Sequence, residues 1–379
     1  MENLNKQLIH KKHFLNNPLS PILLMKYDQW KDHSVRLISH PHYNFFFDYI
    51  NGYSYRCGKS IQDDPLFSPI GPEILDMEIS TICSQGCEFC YKSNTSKGKN
   101  MSYHTFRKIF DKMPPNLTQI AFGIGDLDGN PHLKNILNYC DGNVNSQKHY
   151  VVPNITINGY NLTDDYIQLF VDCCGAVAVS HYEDDVCFDA VHRLIRGGMK
   201  QVNIHQMLSE ETYEDSIRLM KSYLKDDRLK GLKAIVFLSL KTKGRGITYT
   251  PLSQSGMNQL VKFAFKHNVP IGFDSCSTLK FFRSIQDHPN KINFKTTAEP
   301  CESSLFSSYI NVNGEFYPCS FIEGSMNNWL NGEGIDVIHC NDFLEDVWYH
   351  DKTKQFREQL LQTSQNNECD CRECPVFKI

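Results

Sequence analysis

Two periods alternate along most of the chain. Glu73 to Ser80 interleaves apolar and polar residues with period two, the pattern of a half-buried strand. Further strand patterns follow at Thr118–Phe122, Val151–Ile157, Ala176–Ser180, Val202–Leu208, Ala234–Leu240 and Val269–Phe273. Between them, Tyr103–Lys112, Asp164–Val171, Glu211–Leu224 and Gln254–His267 carry helical periodicity. Such alternation predicts a parallel sheet with crossover helices. A closed or partial barrel and an open doubly wound sheet both fit it.

The first 72 residues break this rhythm. Tyr43-Asn-Phe-Phe-Phe-Asp-Tyr-Ile, Asn51-Gly52 and Tyr53-Ser-Tyr-Arg predict a hairpin, because Asn-Gly suits a type I′ turn. Its first reading is a cap on the barrel. Its second is an exposed edge that takes a peptide by strand addition. No internal repeat or low-complexity tract stands out.

The 379 residues carry a net charge of −4, which gives no reason to expect nucleic acid or an anionic membrane as an obligate partner. The polar start, Met-Glu-Asn-Leu-Asn-Lys-Gln-Leu-Ile-His, lacks the apolar core of a signal peptide. No run approaches the roughly 18 apolar residues of a membrane span. Fifteen cysteines in a long chain without an export signal read as reduced thiols, and clustered ones as metal ligands. A cytoplasmic location is the expectation.

Directly after the first strand of the alternating region comes Thr-Ile-Cys83-Ser-Gln-Gly-Cys87-Glu-Phe-Cys90-Tyr. Thiolates hold iron–sulfur clusters. Three of them at close spacing can bind three irons of a cubane and leave the fourth open, as catalytic metal sites keep an open position. A three-cysteine zinc site is the plainer alternative. The CxxxCxxC spacing, with an aromatic before the last cysteine, resembles the radical S-adenosylmethionine (SAM) superfamily, and the resemblance extends over residues 73–379. It implies a partial (β/α)6 TIM-like barrel over 73–285, with an N-terminal extension over 1–72 and a small SPASM/twitch-type domain over 286–379. By the general barrel rule, chemistry then sits on loops at the strand C-terminal ends, where the cysteine loop falls. In that family a 4Fe–4S cluster chelates SAM through its open iron, and the reduced cluster releases a 5′-deoxyadenosyl radical.

The same resemblance assigns further residues. Phe89 matches the position beside the adenine. Ala121-Phe-Gly123-Ile-Gly125-Asp126 resembles the family's Gly-Gly-Glu segment, with Asp126 where a glutamate is usual. Thr156-Ile-Asn158-Gly159 is similar to the Thr-Asn-Gly motif, and Ser180 ends a strand where the family often places a serine near SAM. His181, Tyr182 and Glu183 follow as candidate substrate contacts. The Lys241-Thr-Lys-Gly-Arg245-Gly run resembles a family loop, although by itself it reads as a solvated basic loop.

Near the C-terminus, Cys301, Gly314 and Cys319 fit the opening of SPASM and twitch domains, and Cys369-Asp-Cys371-Arg-Glu-Cys374 supplies the distal thiols. Glu345-Asp-Val-Trp348 also resembles that region. The short distal set implies the twitch form: one auxiliary 4Fe–4S cluster on Cys301, Cys319, Cys371 and Cys374, with Cys369 or Cys340 as alternates. A structural zinc site would use similar thiolates. Cys57, Cys140, Cys173, Cys174 and Cys187 read as small buried hydrophobes. Asp274 and Cys276, after the last barrel strand, are candidates for terminal chemistry, the acid as a base and the thiol as a hydrogen-atom donor.

Relatives with such C-terminal domains often modify ribosomally made peptides or proteins by crosslink, thioether, epimerisation or oxidation. A peptide-modifying oxidoreductase, reduced by a partner such as flavodoxin or ferredoxin, is therefore the expected function. Oxidation or rearrangement of a small metabolite, such as an aminosugar alcohol, is the alternative. A non-catalytic iron–sulfur electron carrier belongs to a different class and needs no open-site triad.

Overall fold

A computed structural model describes residues 35–377, apart from 61–62, 64, 296, 326–328, 330–331 and 364–370. Seven strands run parallel and pair in chain order: β4 (Ile74–Glu78), β5 (Gln119–Gly123), β6 (Val152–Ile157), β7 (Ala176–Ser180), β8 (Val202–Leu208), β9 (Ala234–Ser239) and β10 (Ile271–Phe273). They follow β1 (Val35–His40), β2 (Tyr43–Asp48) and β3 (Ser54–Cys57), which form a separate antiparallel sheet. Helices cross back after each of the first six: α1 (Tyr103–Phe110), α2 (Leu133–Tyr139), α3 (Asp164–Cys173), α4 (Asp184–Arg196), α5 (Tyr213–Tyr223) and α6 (Gln254–His267). These six units make the partial (β/α)6 barrel, and β10 adds a short seventh strand before α7 (Thr278–Ser284).

The sheet continues past β4 on its other side. β11 (Ser307–Ile310) pairs with β4 in parallel, and β12 (Glu315–Tyr317) and β13 (Ile335–Asp336) follow antiparallel. The C-terminal hairpin thus prolongs the barrel sheet beyond its first strand.

Local chemistry explains the elements. On β4, Leu75 and Met77 are buried hydrophobics, while Asp76 and Glu78 share the opposite, inner face. Ser102, Thr163 and Ser253 cap α1, α3 and α6 by accepting from backbone N–H groups of the first turn. Asn268 closes α6 in the left-handed conformation.

The three-stranded sheet is fastened to the N-terminal ends of the barrel strands, opposite the loops expected to carry chemistry. Tyr43 Oη donates to Glu73 at 2.7 Å, Arg36 Nη1 to the Leu117 carbonyl at 3.2 Å, and Tyr49 Oη to the Tyr150 carbonyl at 3.1 Å. The turn after β2 corrects the type I′ expectation. Gly52 has φ +72°, but Asn51 is not left-handed, and type I′ needs both. Asp48 and Tyr53 close a longer loop, in which the Asp48 carboxylate accepts from Ile50 N at 2.8 Å and Asn51 Nδ2 at 2.9 Å. Among the described residues no helix is long and apolar enough to cross a membrane.

Candidate functional site

The cysteine loop leaves the C-terminal end of β4 and returns beside itself to α1. Thr81 N donates to the Lys99 carbonyl at 2.9 Å and Cys83 N to the Thr95 carbonyl at 3.0 Å. Cys90 N reaches the Cys87 carbonyl at 3.2 Å, so a short turn carries the second and third thiols. All three thiols are partly exposed. Cys83 feels the charges of both others, and burial pushes the Cys83 and Cys87 thiols up.

The loop after β5 holds this segment. A Cβ on Gly125 would lie 2.1 Å from the Ile82 carbonyl oxygen and 2.6 Å from Cys83 Cβ, so only glycine lets the two loops touch. Asp126 N donates to the Ile82 carbonyl at 2.8 Å, and Asp126 Oδ2 accepts from Ser84 N at 2.8 Å. From β6, Asn158 Nδ2 reaches the Gly125 carbonyl at 3.2 Å and Asp126 Oδ1 at 3.3 Å. Gly123 is different: its added Cβ would meet nothing nearer than 3.8 Å. Phe89 stacks on Tyr182 at 5.9 Å and meets Tyr249 edge-on at 6.1 Å. Tyr182 follows Ser180 by two residues at the end of β7 and lies near enough to Cys87 to feel its charge. The structure therefore gathers Phe89, Gly123, Gly125, Asp126, Asn158 and Ser180 at one end of the barrel, around the three thiols.

The basic loop after β9 is an outer brace for the same segment. Arg245 Nε donates to the Cys87 carbonyl at 2.7 Å, Nη1 to the Asn94 carbonyl at 3.1 Å, and its backbone N to the Cys90 carbonyl at 3.0 Å. Gly244 has φ +58°, and its Cβ would stand 2.6 Å from the Cys90 oxygen. The solvated-loop reading fails here because the partners are backbone carbonyls. The two glycines flanking Arg245 were the available signal. His181 spends both ring nitrogens on Gln206 (2.6 Å) and Asp184 (2.8 Å), which leaves neither for a metal.

A second centre lies between the barrel and the C-terminal hairpin. A cavity of ≈ 90 Å³ is lined by Cys276, Cys301, Cys319 and Cys374, with Asp76 and Lys241 in its wall. Burial pushes all three thiols of Cys276, Cys301 and Cys319 up, the last to about 12. Arg372 Nε donates to the Cys301 carbonyl at 2.7 Å and fixes the distal segment, and Phe377 N donates to Cys374 Sγ at 3.2 Å. Cys371 is buried but lies outside the cavity lining. Cys340 is also outside, its Sγ 3.2 Å from the Val337 carbonyl. Cys369 lies outside the described residues. Among the described residues no three His, Cys, Asp or Glu side chains close on a single metal ion. The donors in both centres are soft thiols, the ligands that iron–sulfur clusters use.

Asp274 is saturated by donors. It accepts from Lys241 Nζ at 2.6 Å, Ser277 N at 3.0 Å, Ser277 Oγ at 2.5 Å and Ser239 N at 3.2 Å. Asp76 faces the cavity rather than packed side chains, yet protein surrounds it, and this desolvation pushes its carboxyl up to about 6. The two centres are joined by consecutive residues of the cysteine loop. Tyr91 packs on Phe321 at 4.6 Å. Lys92 pairs with Glu78 at 3.2 Å and with Glu323, and donates to Tyr309 Oη at 2.9 Å.

No family model matches the sequence, and no curated protein matches it. Solved structures do. Streptococcus suis SuiB bound to precursor peptide SuiA is 13% identical, with a TM-score of 0.65 over 88% of this chain and 91% of that one. SuiB bound to S-adenosylmethionine is 15% identical, with a TM-score of 0.57 over 80% of this chain and 69% of that one. Native anSMEcpe with bound AdoMet and Cp18Cys peptide is 12% identical, with a TM-score of 0.57 over 78% and 86%. With a three-cysteine loop at the C-terminal end of its first barrel strand, this chain has the fold of the radical SAM enzymes.

Proposed function

We propose that this protein is a radical SAM enzyme that acts on a peptide or protein. The observation that carries the reading is the locking of the Cys83–Cys90 segment against Gly125 and Asp126, at the barrel end where Phe89, Asn158 and Ser180 also gather. Cys83, Cys87 and Cys90 would hold a 4Fe–4S cluster that, with SAM bound, would supply radical chemistry at a C–H bond of the substrate.

The chain's own residues hold and aim this chemistry. Asp126 and Arg245 fix the loop from its two sides through Ser84 N and the Cys87 carbonyl, so the three thiols keep their spacing. Phe89, Tyr182 and Tyr249 form an aromatic wall that suits an adenine ring. The Gly123 carbonyl already accepts from Ile79 N at 2.9 Å, whereas the Gly125 carbonyl, held by Asn158 at 3.2 Å, keeps a second lone pair that could receive an ammonium group. Across the barrel, inner-facing Asn154 and His205 would present polar groups to a substrate. Burial lowers His205 to about 4, so it stays neutral at pH 7.

Peptide is the substrate class because two of the structures sharing this fold hold peptides, as stated for SuiB and anSMEcpe. The second thiol centre would hold an auxiliary 4Fe–4S cluster through Cys301, Cys319 and Cys374 plus one further thiol. A flavodoxin or ferredoxin would supply the electrons.

Anaerobically reconstituted protein should carry about eight irons if both centres fill. With SAM and dithionite it should release 5′-deoxyadenosine, and replacing Cys83, Cys87 and Cys90 together by alanine should abolish that release. Undiminished release from the triple variant would refute the assignment. A mass change on an added metabolite, with none on any peptide, would move the substrate class to small molecules.

A further inference from the structure

We propose that Cys276, a residue of the barrel, is the fourth thiolate ligand of the auxiliary centre, and that Cys371 is not a ligand. The proposal rests on the auxiliary-cluster reading above and goes further by assigning the ligand set. It starts from Asp274-Ser-Cys276-Ser-Thr, just after β10. Asp274 accepts from both the backbone N and the side-chain Oγ of Ser277, which bends the chain into a tight turn. The turn leaves Cys276 in the cavity wall beside Cys301, Cys319 and Cys374. Four thiols from four separate stretches of chain thus line one space. Its ≈ 90 Å³ is several times the roughly 10–15 Å³ a single water needs.

Lys241 supports the assignment independently. Its ammonium lies 2.6 Å from Asp274 and 4.3 Å from the centre of the Phe321 ring, in the wall of the same cavity as Cys276. A buried cation in that wall offsets the negative charge of a thiolate-ligated cluster, and charge and hydrogen bonds around a cluster tune its reduction potential. At Cys374 the Phe377 N–H donates a hydrogen bond to the sulfur at 3.2 Å. Cys371, three positions earlier than Cys374, is buried but is not among the residues that line the space. With Cys276 as ligand, the cluster ties the last barrel strand to the base of the C-terminal hairpin and to the chain end. The hydrogen-atom donor considered for Cys276 is then excluded, because its sulfur is spent on iron.

The test uses the full chain with Cys83, Cys87 and Cys90 replaced by alanine, reconstituted anaerobically, so that only the second centre can fill. This background should hold about four irons and four sulfides. Adding Cys276→Ser should lower the iron by half or more, or change the electron paramagnetic resonance spectrum. Adding Cys371→Ser should do neither. Cys276→His offers a replacement ligand and should keep the iron while shifting the midpoint potential, which a packing role would not do. Lys241→Met should also keep the iron and shift the potential. A Cys276→Ser variant with full iron and an unaltered spectrum and potential overturns the ligand assignment alone. A background protein that holds no iron, or only zinc, overturns the auxiliary-cluster reading beneath it.

Discussion

Arg56 is the perturbation that the packing makes most quantitative. It stands on β3, and its guanidinium pairs with Glu73 at 2.9 Å, with Glu302, and with Glu299 at 3.6 Å, over the Phe306 ring at 3.8 Å. One cation therefore ties the N-terminal sheet to the start of β4 and to the segment beside Cys301. The Glu73 side chain is 1% exposed. Arg56→Met keeps much of the stem but strands that carboxylate, and removing one partner of a buried pair costs about 3–5 kcal/mol.

The loss should also depend on pH, and the sign follows from Glu73. Burial raises it from 4.5 to about 7 even with Arg56 pulling it down. A folded value above the unfolded one means that the folded chain binds the extra proton. Its contribution is full below pH 4.5 and is lost as pH rises through about 7. Without Arg56 the folded value climbs further, so the variant keeps losing stability beyond pH 7. The slope is at most about 1.4 kcal/mol per pH unit for one proton. Urea unfolding of wild type and variant, both metal-free, should therefore show a gap that widens by about 1 kcal/mol between pH 6 and 8. A gap below about 1 kcal/mol at pH 8, or one that narrows as pH rises, would refute the reasoning.

Three further outcomes are expected. Gly125→Ala should force the Asp126 loop off Cys83, halving the iron content and stopping SAM cleavage; wild-type iron content would show that the 2.6 Å approach is not needed. Arg245→Lys cannot hold the Cys87 and Asn94 carbonyls together, and losing one charge-assisted bond should slow 5′-deoxyadenosine release by roughly tenfold, a change of about 1.4 kcal/mol; an unchanged rate with full iron would remove the brace from the mechanism. His149 is buried and lowered from 6.5 to about 3, so the unfolded chain binds the extra proton and stability falls as pH drops from 6.5. His149→Gln should flatten that fall in denaturation curves between pH 4 and 7, and an equally steep fall would assign it to other groups.

What the sequence displays and what it hides divides along a physical line. The strands β4 to β9 were legible because each is a short alternating or apolar run in a covered sheet; on β4, Leu75 and Met77 point outward and Asp76 and Glu78 inward. β1 was not, because its alternation is inverted. Arg36 occupies a buried position at 1% exposure, where its guanidinium meets the Leu117 carbonyl, so the pattern does not read as a strand. The Cys83, Cys87 and Cys90 trio was legible for a related reason: a single short segment carries it, so spacing alone encodes geometry.

The second centre has no such local code. Cys276, Cys301, Cys319 and Cys374 line one cavity only after β10 and β11 have taken opposite sides of the barrel sheet, and spacing alone gives no sign that Cys276 belongs beside the other three. Lys241, Lys243 and Arg245 show the deeper limit. Charges written close together suggest solvent, yet Lys243 donates to the Phe321 carbonyl at 3.1 Å and Arg245 to those of Cys87 and Asn94. Every residue carries a carbonyl, so a backbone acceptor leaves no mark in the sequence. Where cations are held by backbone, only the fold can separate a brace from a solvated loop, and in this chain the brace holds one side of the thiol segment while Asp126 holds the other.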